Sequence, residues 1–170
     1  MAADDVLALE TRRRVYETVR AHAGIHFREL ERRAGLPAGT ARYHLAYLSR
    51  NGLIKEEKDG NLTRYFPAGF GEEKLMALLR QKSVRDILLV LISDGELAHE
   101  QIVSAVRLSP STVSWHLRKL EEGGAVRARK DGKKVRYSLS ADRKTIMSLL
   151  ITYRESFLDS LVDRVIEMWE

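Results

Sequence analysis

The stretch 109–124, SPSTVSWHLRKLEEGG, concentrates side chains that can hydrogen-bond to nucleic acid or stack on it. Hydroxyl groups reach bases or phosphates, and arginine can bind a guanine edge with two hydrogen bonds. The side chains of this kind are Ser111, Thr112, Ser114, Trp115, Arg118 and Lys119. Between them, Val113, Leu117 and Leu120 are spaced as one apolar stripe of a helix. The stretch therefore predicts a helix with one buried side and one polar side suited to a DNA major groove.

Both ends of this helix are encoded locally. Ser109 is a suitable N-cap because its hydroxyl can accept a hydrogen bond from a first-turn N–H. Pro110 fits the first helical position, where a missing N–H costs nothing. Gly123 and Gly124 can take a positive φ and end the helix. The predicted helix therefore covers residues 110–122.

The chain contains an internal repeat, which emerges when it is shifted against itself by 72 residues, the shift that carries His44 onto His116. The same shift aligns residues 58–60 with residues 130–132, both of which are Lys-Asp-Gly. Identities of unrelated residue types in one register indicate a duplicated structural unit.

Each copy predicts three helices. The expected helices are 11–22, 27–34 and 38–50 in the first copy, and 83–93, 99–106 and 110–122 in the second. Thr11 and Ser83 are the expected N-caps of the first helices. The short second helix, a tight turn and the third helix form a helix-turn-helix.

A β-hairpin follows the third helix in both copies, because the apolar period changes from 3.6 to 2. In the second copy, Val126 and Ala128 alternate with arginines, and Asp131-Gly132 is a typical two-residue hairpin turn. In the first copy, strands 54–58 and 62–66 flank Asp59-Gly60. Three helices and a hairpin make a winged helix. The predicted fold is mainly α with small β-hairpins: two tandem winged helix-turn-helix domains plus a long C-terminal helix.

The predicted division is a first winged helix-turn-helix domain at 1–69, a linker helix at 70–82, a second such domain at 83–140 and a C-terminal helix at 141–170. The apolar band of 141–170 is too wide to be covered on one side only. We therefore expect it to form a homodimer; a purely intramolecular lid is the alternative. The expected dimer contacts are Leu150, Tyr153, Phe157, Leu161, Val165 and Trp169.

The segments 40–48, TARYHLAYL, and 111–120, STVSWHLRKL, resemble the S-x-H-L-x-x-L recognition helix of ArsR-type winged-helix regulators. The tandem arrangement followed by a helix looks like archaeal two-domain winged-helix transcriptional regulators. The resemblance implies a double-stranded DNA partner. The chain departs from the metal-sensing members of that family because it has no cysteine, so thiolate metal sensing cannot operate.

Further DNA contacts are expected in both copies. On the third helix of the first copy they are Gly39, Thr40, Arg42, Tyr43 and Arg50. Residues 127–136 carry six basic side chains and one acidic one, whereas residues 55–64 carry three of each. The second hairpin is therefore expected on phosphate, through Arg129, Lys130, Lys133, Lys134 and Arg136. The first hairpin is expected to contribute less to phosphate binding or to be only structural.

Composition and motifs argue against other classes of function. The chain has 170 residues, a net charge of +5 and no cysteine, which excludes disulfides and cysteine catalysis. His44 and His116 are expected to be partly buried and hydrogen-bonded, not metal ligands. No nucleophile–base pair, glycine-rich phosphate loop or paired-carboxylate motif stands out, so we predict no enzyme activity, cofactor or metal. We find no signal peptide or membrane span and expect a soluble, cytoplasmic protein.

The sequence thus predicts a sequence-specific DNA-binding transcriptional regulator. Its recognition helices would lie in major grooves and its basic second wing on the phosphate backbone. Two alternatives remain open: a winged-helix protein-interaction adaptor, and an architectural DNA-binding protein of low sequence specificity.

Overall fold

The computed structural model describes residues 3–158, which form two compact units divided between Glu73 and Lys74. The first unit consists of α1 (Ala3–Val6), α2 (Glu10–Ala21), β1 (Ile25–His26), α3 (Phe27–Ala34), α4 (Ala38–Arg50), β2 (Ile54–Asp59) and β3 (Leu62–Pro67). Helix α5 (Glu73–Leu79) begins at the division. The second unit continues with α6 (Lys82–Asp94), β4 (Leu97–Ala98), α7 (His99–Val106), α8 (Pro110–Glu122), β5 (Val126–Asp131), β6 (Lys134–Leu139) and α9 (Arg143–Thr152).

The two units repeat the same elements in the same order at the offset of 72 residues. Helices α3 and α4 correspond to α7 and α8, with the bounds that the sequence predicts for all four. The two units are therefore tandem winged helix-turn-helix domains, and the predicted fold class is confirmed. The segment predicted as a linker helix contains α5, which ends at Leu79 and stays separate from α6.

Apolar side chains at helical spacing form the core of each unit. In the first unit, Val15 and Val19 of α2 share a buried cluster with Leu45 and Leu48 of α4. Their counterparts in the second unit are also buried: Ile87, Leu91, Leu117 and Leu120. Burying one such side chain stabilises a fold by about 1.5–3 kcal/mol. These contacts hold the third helix of each domain against the first and leave its opposite side outward.

Each wing belongs to a three-stranded antiparallel sheet. The strand orders are β1-β3-β2 and β4-β6-β5, with Ile25 opposite Tyr65 and Leu97 opposite Tyr137. The predicted hairpins are present, but β1 and β4 were not predicted, because two residues are too few to show an alternating pattern. Since α3 and α7 directly follow these strands, the pairing places the start of each second helix beside its wing.

The first helix of each domain begins one residue before the position expected from its hydroxyl residue. Leu9 and Gln81 are the N-caps of α2 and α6, and neither makes a side-chain capping hydrogen bond. The prediction that Thr11 and Ser83 cap these helices is therefore wrong. Val84, in the first turn of α6, is completely buried.

The predicted continuous helix over 141–170 is wrong in the part that the structure describes. Helix α9 begins at Arg143, after the N-cap Asp142, whose Oδ2 accepts a hydrogen bond from the Thr145 N–H at 2.9 Å. It ends at Thr152, where Tyr153 takes φ −104° and ψ 16° as the C-cap. This ψ lies far from the helical value of about −42° and interrupts the helix, which resumes over residues 154–158.

The turn at Tyr153 alters the expected dimer surface. Phe157 is buried within the second unit, with the guanidinium groups of Arg85 and Arg80 at 4.6 and 5.8 Å from its ring centroid. The prediction that Phe157 faces a partner is therefore wrong. Leu150 and Tyr153 are half-buried. The other expected contacts, Leu161, Val165 and Trp169, lie outside the described residues.

Candidate nucleic-acid interface

Helix α8 starts at the N-cap that the sequence predicts. The Ser109 hydroxyl oxygen accepts a hydrogen bond from the Thr112 N–H at 3.2 Å. It also lies 2.7 Å from the Thr112 hydroxyl and 3.1 Å from the Ser111 hydroxyl. Ser111 and Thr112, both expected to contact DNA, thus take part in a hydroxyl cluster that fixes the start of α8.

The outward side of α8 is polar and aromatic. Val113, Leu117 and Leu120 are buried as expected. On the opposite side, Arg118 is exposed and the Trp115 side chain is 48% exposed. The predicted orientation of this helix is therefore confirmed.

Ser114 is held by two polar contacts. Its hydroxyl donates to the Pro110 carbonyl at 2.9 Å and lies 2.8 Å from Nε2 of His99, the first residue of α7. The hydroxyl proton is used on Pro110, so Nε2 of His99 is the donor in the second contact. The contact joins the two helices of the helix-turn-helix and was not predicted from the sequence.

Two side chains next to each other on α8 form a cation–π pair. The Lys119 ammonium lies 4.2 Å from the centroid of the Trp115 ring. The Trp115 ring also meets the His116 ring edge-on, with centroids 4.9 Å apart. These contacts hold the exposed indole in one orientation and place a positive charge against its face.

The corresponding helix α4 presents the side chains expected from the repeat. Gly39, Arg42, Tyr43 and Arg50 are exposed, and Thr40 is half-buried. The Arg42 guanidinium lies 4.2 Å from the centroid of the Phe27 ring at the start of α3. Tyr43 is 60% exposed, so both third helices carry an exposed aromatic residue at the same position.

His44 and His116 differ from the expectation that they would be hydrogen-bonded. Both are buried, and within the described residues the Nδ1 atom of each has no hydrogen-bond partner. Burial lowers the pKa of His44, and the charge of Arg12 lowers it further. Burial and the charge of Lys119 likewise lower the pKa of His116. Both imidazoles are thus held in the neutral form.

The cations of the second wing fall into two groups. Arg129 forms a bidentate ion pair with Glu96, with N–O distances of 3.0 and 3.1 Å. Nε of Arg136 lies 2.7 Å from Oδ2 of Asp131. These two arginines therefore stabilise the sheet. By contrast, the three lysines at the hairpin tip are exposed, and none of them forms an ion pair with another described residue. These lysines are Lys130, Lys133 and Lys134.

The first wing contains the same internal ion pair but a less basic tip. Nε of Arg64 lies 2.7 Å from Asp59, and the buried guanidinium also donates to the Gly24 carbonyl at 2.8 Å. At the base of this wing, Lys55 is paired with Glu73 at 2.9 Å. The tip residues Asn61 and Leu62 stand where the second wing has Lys133 and Lys134. This wing offers fewer cations to a phosphate backbone.

The described residues, 3–158, contain no group of three or more side chains arranged to hold a metal ion. In the same part of the chain, no helix combines the length and apolar character needed to cross a membrane.

Two family models match the chain in tandem. A model described as an N-terminal HTH domain matches residues 9–78. A model described as winged helix-turn-helix DNA-binding matches residues 80–127. Together they cover the first domain and the helix-turn-helix of the second, including the whole of α8, but the second match ends at the start of β5.

Individual proteins show more limited similarity. The "Uncharacterized HTH-type transcriptional regulator MJ1398" of Methanocaldococcus jannaschii is 32% identical over 139 residues, which are 81% of this chain and 35% of that protein. The chain thus spans about a third of that relative. HlyU from Vibrio cholerae is 30% identical, covering 48% of this chain and 86% of HlyU, with a TM-score of 0.42. A fragment of Mb0332 from Mycobacterium bovis, described as homodimeric and as a possible ArsR-family regulator, is 24% identical over 56% of this chain and 81% of the fragment, with a TM-score of 0.39.

Proposed function

Because the chain belongs to the winged helix-turn-helix DNA-binding proteins, with two such domains in tandem, we propose that it is a transcriptional regulator that binds specific sequences in double-stranded DNA. The function is one of binding, not of catalysis. A cytoplasmic location is part of the proposal.

One observation carries the proposal: α8 turns Trp115 and Arg118 outward, and the hairpin that follows it in the same unit has three exposed tip lysines free of ion pairs in the described structure. A helix of this kind fits the major groove, where arginine distinguishes guanine from the other bases. Lysines at a wing tip bind phosphate without regard to sequence and add affinity that depends on salt.

The contacts within each domain refine the set of proposed DNA-binding residues. In the second domain, base contacts fall to Trp115 and Arg118, since the Ser114 hydroxyl is already bound to Pro110 and His99. Arg129 and Arg136 contribute mainly by holding the wing, because each is paired with a carboxylate. In the first domain, Arg42 is the principal candidate for base contacts.

The two domains contribute unequally in this proposal. The second wing has Lys133 and Lys134 at the positions where the first has Asn61 and Leu62. Since each phosphate contact adds to affinity, the second domain supplies most of the electrostatic attraction. The first domain adds sequence preference through α4. The proposed domains are those expected from the sequence, 1–69 and 83–140.

A protein-interaction adaptor is the second candidate function. The observation in its favour is that Tyr43 and Trp115 are 60% and 48% exposed at the same position of the two third helices. Exposed aromatic side chains are enriched at protein interfaces. An architectural protein would instead bind DNA through the wing lysines alone.

The proposal extends to a homodimer formed through the C-terminal segment. Ile151 and Leu158 support it, because they are 59% and 60% exposed near the end of the second unit. Sedimentation of the full chain and of an Ile151→Asp/Leu158→Asp variant tests it. We expect a dimer that dissociates in the variant, and a monomeric full chain at micromolar concentration contradicts this part of the proposal.

Selection of fragments from the organism's own genome by the purified full chain tests the principal proposal. A regulator enriches a small set of fragments that share a sequence. An architectural protein recovers fragments nearly at random, and an adaptor recovers none above background even at low salt.

A further inference from the structure

The first unit contains an open cavity of about 610 Å³. It lies between the start of α3, the outward side of α4 and the tip and third strand of the first wing. Its volume is within the range of about 300–1,000 Å³ found for small-molecule sites in proteins. The cavity is therefore large enough for an organic molecule of several rings.

Two arginines give the cavity a positive charge. Arg28 of α3 and Arg42 of α4 both line it and are both exposed. Within the described residues neither forms an ion pair, and the lining includes no carboxylate. Asp59, which lies opposite the lining residue Leu62 in the sheet, is paired with Arg64 at 2.7 Å. Uncompensated guanidinium groups at a cavity favour an anionic ligand.

Aromatic rings form the other part of the lining. Phe27 and Tyr65 are half-buried there, and Arg42 already stacks at 4.2 Å from the Phe27 ring centroid. A guanidinium stacked on a ring keeps its in-plane N–H groups free to donate to a carboxylate or phosphate. Burial raises the pKa of Tyr65, which keeps its phenol neutral and able to donate. The cavity lining can therefore bind a ligand in which a flat ring carries an anionic group.

The second domain differs at the corresponding positions. The shift of 72 residues places Glu100 at the position of Arg28 and Ser114 at that of Arg42. It also places His99 at the position of Phe27. The combination of two arginines and two aromatic rings therefore belongs to the first domain, although the fold is duplicated.

We propose that this cavity binds a small aromatic carboxylate or phosphate. Arg28 and Arg42 hold the anionic group, and Phe27 and Tyr65 contact the ring. The binding itself does not depend on DNA. Its consequence rests on the proposed function: Arg42 cannot bind the ligand and a base at the same time, so the ligand weakens the contribution of the first domain to DNA binding.

Calorimetry on the full chain without DNA tests the site, with 2-naphthoate as the probe. We expect 2-naphthoate to bind and the neutral 2-naphthamide to bind at least about tenfold more weakly, the loss of one charge-assisted hydrogen bond. Arg28→Glu introduces the residue of the second domain and should abolish binding. Phe27→Leu keeps an apolar side chain but removes the ring, and should weaken binding. Arg20→Gln, which removes an exposed charge outside the cavity, should leave binding unchanged.

Three results overturn the proposal: no heat of 2-naphthoate binding at millimolar concentration, equal affinity for the amide, or full binding by the Arg28→Glu variant. Inorganic phosphate separates the two sources of the anion. If phosphate binds as tightly as 2-naphthoate, the cavity is a subsite for the DNA backbone only and the aromatic ligand is wrong. Since DNA is absent, these results do not depend on whether the chain is a regulator.

Discussion

Nε2 of His99 lies 2.8 Å from the hydroxyl oxygen of Ser114 and joins the two helices of the second helix-turn-helix. The same two positions in the first domain are occupied by Phe27 and Arg42, which stack at 4.2 Å. A hydrogen bond thus links the second and third helices of the second domain, and a cation–π contact links those of the first. The duplicated fold keeps the geometry while the chemistry on the outward face differs.

The wing lysines should control the salt dependence of DNA binding. Replacing Lys130, Lys133 and Lys134 with alanine is expected to weaken binding about equally on all sequences and to reduce the slope of log K against log salt by about 3. Fluorescence anisotropy at several salt concentrations measures both. The matched control removes three exposed charges elsewhere in the second unit, Lys74, Arg143 and Lys144. Equal slopes for the wing variant and the wild type refute the placement of this wing on DNA.

Arg118 should control sequence preference. Arg118→Ala is expected to cost about 1–3 kcal/mol on a preferred duplex and much less on an unrelated one, because it removes a contact to a base edge. Competition binding with duplexes changed at single positions identifies the base involved. Arg127→Ala is a suitable control, since this exposed arginine of β5 donates to Ser138. A uniform loss on all duplexes would assign Arg118 to phosphate instead.

Ser109 should stabilise α8. Ser109→Ala removes the oxygen that accepts from the Thr112 N–H at 3.2 Å, and we expect the free energy of unfolding to fall by about 1 kcal/mol. Urea denaturation followed by tryptophan fluorescence reports on this domain when both proteins also carry Trp169→Phe, which leaves Trp115 as the only tryptophan. Ser104→Ala, on an exposed position of α7, should have little effect. If both changes have equal effects, the cap does not stabilise the helix.

His44 and His116 should make stability depend on pH. Burial lowers the pKa of both below the ordinary value of 6.5, so the unfolded chain binds protons more readily there. The contribution of the two histidines to the free energy of unfolding is therefore fully present above pH 6.5. It is lost as the pH falls from that value through the folded-state pKa. Urea denaturation at several pH values between 7.5 and 5.5 measures this change in the free energy of unfolding. A His44→Gln/His116→Gln variant should lose most of this slope, and an unchanged slope contradicts the assignment.

Arg64 and Arg136 make equivalent ion pairs that should differ in strength. Arg64 is 7% exposed and also binds Gly24, whereas Arg136 is 34% exposed. Arg64→Gln should cost about 1–3 kcal/mol, because it leaves the buried Gly24 carbonyl without its donor, and Arg136→Gln should cost about 0–1 kcal/mol. Hydrogen exchange of the two hairpins compares them within one chain. Equal protection losses would contradict the difference in burial.

The sequence was most informative where two copies of a pattern supported each other. The bounds of α3, α4, α7 and α8 and the Ser109 cap were predictable from periodicity and local end signals. The strands β1 and β4 were not, because they exist only through pairing with the wings. The break at Tyr153 was hidden because an amphipathic pattern continues through it. The His99–Ser114 contact was missed since the shift aligns different residue types there.

The central claim is that the chain binds DNA by sequence, chiefly through α8 and the second wing. The most direct measurement compares the affinity of the full chain for a duplex selected from its genome and for a shuffled duplex of the same composition, at physiological salt. We predict at least about a thousandfold difference, with both affinities falling as salt increases. Equal affinities, or no binding to either duplex at low salt, would contradict the claim.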